Sequence, residues 1–300
     1  HRRKGIFYME NLQSDHLDTQ NLYRDMQKRT GGEIYIGVVG PVRTGKSTFI
    51  KRFMDVAVLP YMEDAAQKTR AQDELPQSAG GRTITTTEPK FIPQEAVELK
   101  LAGEVTIRVR LVDCVGFMVE GAAGHLENGA ERLVKTPWYD HEIPFTQAAE
   151  LGTRKVITDH STIGVVVTTD GSFSDLPQET YLDAENQAIS ELKKLHKPFL
   201  VLVNSSHPSS RTAREAAERI EKQHSVAAMP VNCAQLSEED IRQIMEQILY
   251  EFPVSRVEFY MPKWVEMLPF SHPLKTGLIE KIRDLTGKIR TIRDVAEHPI

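Results

Sequence analysis

Cysteine is nearly absent from this 300-residue chain, which contains only Cys114 and Cys233. Two cysteines give no disulfide framework, so a reducing compartment fits best. The chain also lacks any apolar run approaching the roughly 18 residues of a membrane-spanning helix, and no signal-peptide pattern opens it. These absences favour a cytoplasmic protein.

An excess of positive charge is missing as well. Lysine and arginine number 37 against 42 acidic residues, which gives a formal net charge of -5. A nucleic-acid-binding protein would usually present a basic face, so we expect no nucleic-acid partner. The ten histidines are scattered without metal-ligand spacing, and no Ser/His/Asp or Cys/His arrangement of a nucleophilic enzyme is visible.

Strand and helix patterns alternate through residues 33–250, which predicts a three-layer α/β fold with a mostly parallel sheet. The first buried strand is "EIYIGVVG" (33–40). Two alternating segments, 96–101 and 105–114, flank a short Gly-containing turn and predict one antiparallel edge pair. Residues 59–90 and 117–143 are expected to be irregular.

We predict an N-terminal tail (1–21), a nucleotidase domain (22–252) and the start of a second domain (253–300), which we expect to be truncated. Within the last part, 255–268 resembles a strand and 275–295 an amphipathic helix.

Residues 40–47, "GPVRTGKS", match the G-x-x-x-x-G-K-[ST] phosphate loop. The two glycines allow a tight turn whose N–H groups point at phosphate oxygens, and the following helix adds the positive end of its dipole. The lysine is expected to reach the β- and γ-phosphates, and the serine hydroxyl to bind Mg²⁺. The predicted nucleotide-binding residues of this segment are Gly40, Arg43, Thr44, Gly45, Lys46, Ser47 and Thr48. The alternative is a strand-to-helix turn that binds nothing.

A second magnesium ligand is expected at the end of another strand. Asp113 in "LVDCVG" has this position, and the Gly116 N–H would then face the γ-phosphate. An aspartate that merely ends a strand is the alternative. Between the loop and this strand lies "GRTITTTEPKF", where Thr86 and Thr87 are the predicted catalytic threonines, Thr87 as a further metal ligand. The neighbours Thr83 and Thr85 stay open as alternatives.

The guanine-recognition motif Asn-Lys-x-Asp is absent, because the strand "FLVLVN" continues as Asn204-Ser205-Ser206-His207. Without that carboxylate the guanine N–H donors lose a charged acceptor, at a cost of about 1.5–3 kcal/mol. Adenine is therefore the better prediction. Asn204 is expected either to line the base pocket or to serve only as a turn residue.

Phe117 follows Gly116, at the position where some GTPases have a water-orienting glutamine, so unassisted turnover should be slow. Arg43 and Arg154 are candidates for stabilising transition-state charge, with ordinary surface roles as the alternative.

Five segments together closely resemble the stage IV sporulation protein A family, the spore-coat morphogenetic ATPases of endospore-forming Firmicutes. They are "RTGGEIYIGVVGPVRTGKSTFIKRFM", "RAQDELPQSAGGRTITTTEPKFIP", "VRLVDCVGF", "KTPWYD" and "STIGVVVTTDG". The similarity spans about residues 22–296. It implies a P-loop NTPase of the translation-factor GTPase type that hydrolyses ATP with Mg²⁺, with the family's lysine, threonines and aspartate at Lys46, Thr86, Thr87 and Asp113.

The resemblance also implies a biological role. Hydrolysis would drive a conformational change and self-assembly into a basement layer of the spore coat, in the mother-cell cytoplasm at the forespore outer membrane. The implied partners are further copies of the chain, other coat proteins and the membrane-bound peptide stage V sporulation protein M. The open alternatives are a regulatory GTPase acting on ribosomes or membranes and a nucleotide-binding scaffold without turnover; a small-molecule kinase is disfavoured because no second substrate loop is evident.

Overall fold

The computed structural model describes residues 19–76, 88–101, 105–122, 126–127, 130–174, 176–254 and 256–297. The chain divides into a larger unit, Leu17–Ile248, and a smaller one that includes Leu249–Ile300. No helix in these described ranges is long and apolar enough to cross a membrane.

The larger unit begins with alternating helices and strands. A π-helical turn (Met54–Val58) and a 3₁₀ turn (Leu59–Tyr61) extend the second helix. The elements of this half are α1 (Thr19–Thr30), β1 (Glu33–Val39), α2 (Lys46–Phe53), α3 (Ala65–Asp73), β2 (Lys90–Leu101) and β3 (Val105–Asp113).

The rest of the chain continues the alternation after four short strands. The further strands are β4 (Leu126–Glu127), β5 (Ala130–Glu131), β6 (Leu133–Thr136), β7 (Tyr139–Pro144), β8 (Ile163–Thr169), β9 (Phe199–Asn204) and β10 (Ala228–Val231). The further helices are α4 (Phe145–Lys155, extended by a π-helical turn, Val156–His160), α5 (Leu182–Lys194, preceded by a 3₁₀ turn, Gln178–Tyr181), α6 (Arg211–His224), α7 (Glu238–Tyr250), α8 (Lys263–Glu266), α9 (Pro273–Lys288) and α10 (Ile292–Glu297).

The main sheet has six strands in the order β10-β9-β8-β1-β3-β2. All neighbours are parallel except β2 and β3, so the predicted mixed sheet with one antiparallel edge pair is confirmed. Every residue of β8 and of β9 is buried, as is expected where helices cover both faces of a parallel sheet. The carboxyl ends of β1, β3, β8 and β9 therefore share one edge, where ligands of such folds bind.

Two regions expected to be irregular contain regular elements. Residues 59–90 contain α3, which Asp64 caps by accepting the N–H of Ala66 at 2.8 Å. Residues 117–143 contain two small hairpins, β4-β5 and β6-β7.

The strand predicted at 255–268 is wrong, because its described residues form an irregular segment followed by α8. Its alternating apolar residues stay exposed, Val257 at 37% and Tyr260 at 77%. A strand is stable only when another strand pairs with it, and none lies in the described part of the smaller unit.

Candidate nucleotide site

The loop between β1 and α2 is fixed from two sides. On one side, Val42 donates its N–H to the carbonyl of Phe117 at 2.9 Å, and Phe117 donates to the carbonyl of Gly40 at 3.0 Å. On the other, the Thr44 hydroxyl lies 2.6 Å from the carbonyl oxygen of Val167 in β8. The fully buried Thr44 side chain therefore anchors the loop to β8.

Gly45 ends the loop in a left-handed conformation with φ of 96°. A Cβ atom here would lie 2.3 Å from Nδ2 of Asn204, so only glycine fits. The same Nδ2 donates to the carbonyl of Thr44 at 2.9 Å, and Oδ1 of Asn204 accepts the N–H of Cys233 at 3.0 Å. Asn204 thus joins the loop to the segment after β10, a connection that neither sequence interpretation anticipated.

Lys46 is the first residue of α2, and its side chain curls back over the loop. Only 5% of it is exposed, and its Nζ donates to the carbonyl of Pro41 at 2.5 Å. Burial lowers the pKa of Lys46, while the nearby Cys114 and Asp113 oppose this shift. At Gly116 a Cβ would lie 2.3 Å from the carbonyl oxygen of Gly40 and 2.6 Å from Nζ of Lys46, so this position requires glycine.

Ser47 and Asp113 meet at the mouth of the loop. The Ser47 hydroxyl donates to Oδ2 of Asp113 at 2.8 Å, and Oδ1 accepts the N–H of Cys114 at 2.9 Å. Burial raises the pKa of Asp113, while the Ser47 hydrogen bond and the Lys46 charge oppose the shift.

This pair fits the implied magnesium ion. A hydroxyl and a carboxylate are the hard oxygen ligands that Mg²⁺ prefers, and the ion is usually bound through one or two carboxylates together with water and substrate phosphates. Among the described residues, no group of three or more His, Cys, Asp or Glu side chains forms a metal cluster. A Mg²⁺ site of this kind does not need such a cluster, because water and phosphate oxygens supply the remaining ligands.

The remaining predicted residues lie in different places. Thr48 is exposed on the first turn of α2. Arg43 is exposed in the loop, where its φ is 62°. Thr86 and Thr87, with the alternatives Thr83 and Thr85, lie outside the described residues.

Arg154 does not join the loop. It lies in the last turn of α4, which precedes β8 and so belongs to the amino-terminal edge of the sheet, opposite the phosphate loop. There it pairs with Glu191 of α5 at 3.7 Å. This placement favours the surface role.

A cavity beyond the ends of β8 and β9 was missed in the sequence. Asp170, Ser205 and His207 contribute to its wall. Asp170 directly follows the buried strand β8, and Asp113 is the last residue of β3, so the rule that singled out Asp113 would have found Asp170 too.

The mixed sheet and the glycine loop that joins β1 to α2 are consistent with a P-loop NTPase. Comparison with known families agrees: the model of the stage IV sporulation protein A ATPase domain matches residues 17–253, and that of the middle domain matches residues 254–299. The chain belongs to the stage IV sporulation protein A family.

Curated relatives carry the same name. Stage IV sporulation protein A of Clostridioides difficile (strain 630) is 48% identical over 275 residues, covering 92% of this chain and 56% of that protein. The protein of Bacillus subtilis (strain 168) is 43% identical over 279 residues, covering 93% and 57%. The chain thus spans a little over half the length of these relatives.

Among solved structures, a complex titled SsGBP and GDP overlaps 72% of this chain and 48% of its own, with a TM-score of 0.39 and 12% identity. An overlap this weak supports no statement about fold or function.

Proposed function

We propose that the chain binds ATP with Mg²⁺ and hydrolyses it to ADP and phosphate. The observation that carries the proposal is the Ser47–Asp113 hydrogen bond of 2.8 Å, formed beside the buried ammonium of Lys46. A metal-binding oxygen pair next to a lysine-bearing loop is the arrangement that phosphoryl transfer requires, since its catalysis is mainly positioning and charge stabilisation. Membership in a family with an ATPase domain supports it.

Each residue has a defined part in this proposal. Lys46 and the loop N–H groups bind the phosphates, and Gly116 contributes an N–H near the γ-phosphate. Ser47 and Asp113 hold the metal, with Thr87 as a third ligand. The bound ion supplies charge neutralisation of the phosphate oxygens. Thr86 is proposed as a second catalytic threonine next to Thr87.

A finer assignment of the fold is part of the proposal. We place the larger unit with the translation-factor type of GTPase fold. The strand order with its antiparallel edge pair and the threonine-rich segment ahead of β2 support this.

The biological role rests on the resemblance. We propose that hydrolysis changes the conformation of the protein and promotes its assembly into the spore-coat basement layer around the forespore. Contacts with stage V sporulation protein M and other coat proteins, and through that peptide with the membrane, belong to the same proposal.

Phosphate release by the purified chain tests the hydrolysis. We expect magnesium-dependent release from ATP that falls at least tenfold in Lys46→Ala and in Asp113→Asn, because each substitution removes a charge next to the phosphates. Lys51→Ala is the matched control, since Lys51 lies on the same helix, further along, and should leave the rate unchanged. Equal background rates in all four proteins would contradict turnover.

One observation favours a scaffold that binds nucleotide without turnover. Phe117 is fully buried and bonded to the loop through its backbone, so this position offers no polar side chain to orient a water. Under this second candidate, calorimetry would detect magnesium-dependent ATP binding while phosphate release stays at background. A hundredfold preference for GTP in competition would instead favour a regulatory GTPase.

A further inference from the structure

A cavity of about 380 Å³ opens beyond the carboxyl ends of β8 and β9. This volume falls within the roughly 300–1,000 Å³ of small-molecule sites. Its wall includes Asp170 and Ser172 after β8, and Ser205 and His207 after β9. The cavity therefore lies at the ligand-binding edge of the sheet, on two strands that do not carry the phosphate loop.

Asp170 is the one acidic residue of this wall, and only 8% of it is exposed. Its Oδ1 accepts the N–H of Ser172 at 3.0 Å. Among the described residues, none donates a hydrogen bond to Oδ2. The second oxygen of this carboxylate, at the wall of the cavity, is an acceptor available to a ligand.

The wall of the cavity is held by cross-links between the two loops. The N–H of Ser206 donates to Oγ of Ser172 at 2.8 Å, and the two hydroxyls of Ser172 and Ser205 lie 3.4 Å apart. The N–H of His207 donates to Oγ of Ser205 at 3.0 Å. Such bonds pre-order the wall, which lowers the entropic cost of binding.

The cavity is within reach of a nucleotide held by the phosphate loop. Thr169 and Asn204 are register partners at the ends of β8 and β9, and Asn204 donates to the carbonyl of Thr44 in the loop at 2.9 Å. The strand β9 is separated from β1 only by β8. Two strand spacings amount to about 10 Å. This separation suits a base whose phosphates lie at the end of β1.

We propose that this cavity receives the purine base of the bound nucleotide, and that Asp170 selects adenine by accepting a hydrogen bond from its exocyclic amino group. The inference rests on the proposed function and names the group that reads the base. The acidic group comes from the strand next to the one that carries the guanine-recognition motif in GTPases.

The chemistry gives a sharp comparison between ATP and ITP. At C6 adenine carries an amino donor, whereas hypoxanthine carries a carbonyl oxygen that a carboxylate repels. In Asp170→Asn, the amide oxygen can still accept from Ser172, so the turn is kept. The other atom becomes an amino donor, which matches the hypoxanthine oxygen and no longer matches adenine.

Competition binding to the full 300-residue chain with Mg²⁺ tests this without any turnover. We expect the unsubstituted protein to bind ATP about tenfold or more tightly than ITP. The reason is that the Asp170 carboxylate accepts a hydrogen bond from the adenine amino group and repels the hypoxanthine oxygen. In Asp170→Asn this ratio should fall to about threefold or less, or reverse. Asp183→Asn removes the same charge from the exposed first turn of α5 and should keep the ratio.

The outcomes separate the inference from the function on which it rests. Equal binding of ATP and ITP by the unsubstituted chain, tighter binding of ITP, or an unchanged ratio in Asp170→Asn would overturn the assignment of Asp170 and leave the phosphate site standing. Tripolyphosphate serves as the probe for the loop alone. If neither nucleotide nor tripolyphosphate binds with Mg²⁺, both proposals fail together.

Discussion

The side chain of Asn204 and the backbone of Thr44 are joined by a hydrogen bond of 2.9 Å that links the end of β9 to the phosphate loop. Because Asn204 also accepts the N–H of Cys233 at 3.0 Å, one buried amide sets the relative position of three loops at the edge of the sheet.

Asn204→Ala should therefore destabilise the larger unit. The substitution leaves the Thr44 carbonyl and the Cys233 N–H without this partner in a buried place, at about 1–3 kcal/mol each, so we expect a loss of roughly 2–6 kcal/mol. Urea denaturation measures it. The matched control is Asn232→Ala, which removes only a local bond to the N–H of Ala234 and should cost about 1 kcal/mol or less. Equal losses in the two variants would contradict the bridging role.

Gly45→Ala should weaken nucleotide binding by changing the shape of the loop. Its φ of 96° strains any L side chain, and the added methyl group would meet Asn204 at 2.3 Å. We expect at least a tenfold loss of ATP affinity by calorimetry. Gly277→Ala is the control, because this helical glycine of α9 has no atom within 4 Å of an added Cβ. That substitution should leave affinity unchanged and raise stability by up to about 1 kcal/mol. Binding by Gly45→Ala at the original affinity would rule out a rigid loop.

Local patterns predicted the framework of the larger unit well. The period-two alternation of β2 and β3 and the apolar run of β8 are encoded in a few consecutive residues, so the parallel sheet with its antiparallel edge pair could be predicted from sequence. The same holds for the glycine loop, since its backbone conformation restricts which residues fit.

Long-range contacts could not be predicted in this way. Nothing in the chain near Asn204 indicates that its amide meets Thr44, which lies 160 positions away. The segment 255–268 failed for the related reason that a strand depends on its pairing partner, which alternation alone does not supply. Thr44 stays a predicted nucleotide-binding residue of the loop, and the contact of its side chain with β8, which fixes the loop, could not be predicted.

His160 should make stability depend on pH. Burial lowers the pKa of this histidine from 6.5; Asp159 opposes the shift, and Arg110 adds to it. A base whose folded pKa is lowered contributes stability that is present above pH 6.5 and lost as pH falls through the folded pKa.

The comparison with His160→Phe isolates this contribution, because phenylalanine keeps a ring against Phe91, which His160 contacts edge-on at 5.1 Å between centroids. We expect the unsubstituted protein to lose stability relative to the variant as pH falls below 6.5. Urea denaturation at several pH values would show it. If the free energies of unfolding of the two proteins change in parallel with pH across that range, burial does not lower the pKa of His160.

The buried Glu185 should matter far more to stability than the exposed ion pairs of the same unit. Its Oε1 lies 2.8 Å from Nη2 of Arg219, and its Oε2 accepts the hydroxyl of Thr168 at 2.7 Å, while only 1% of the side chain is exposed. Removing the cation in Arg219→Met leaves a carboxylate buried without its charge partner, which should cost about 3 kcal/mol. Arg211→Met, in the exposed Arg211–Glu215 pair on α6, should leave the stability almost unchanged, because solvent screens this pair.

The double variant decides whether the charge itself is responsible. In Arg219→Met combined with Glu185→Gln, the neutral amide can still accept from Thr168, so no uncompensated charge remains in the core. We expect it to recover at least half of the stability lost in Arg219→Met, as measured by urea denaturation. If the double variant is instead less stable than Arg219→Met, the loss comes from the packing of the arginine stem between α5 and α6, and the carboxylate tolerates burial alone.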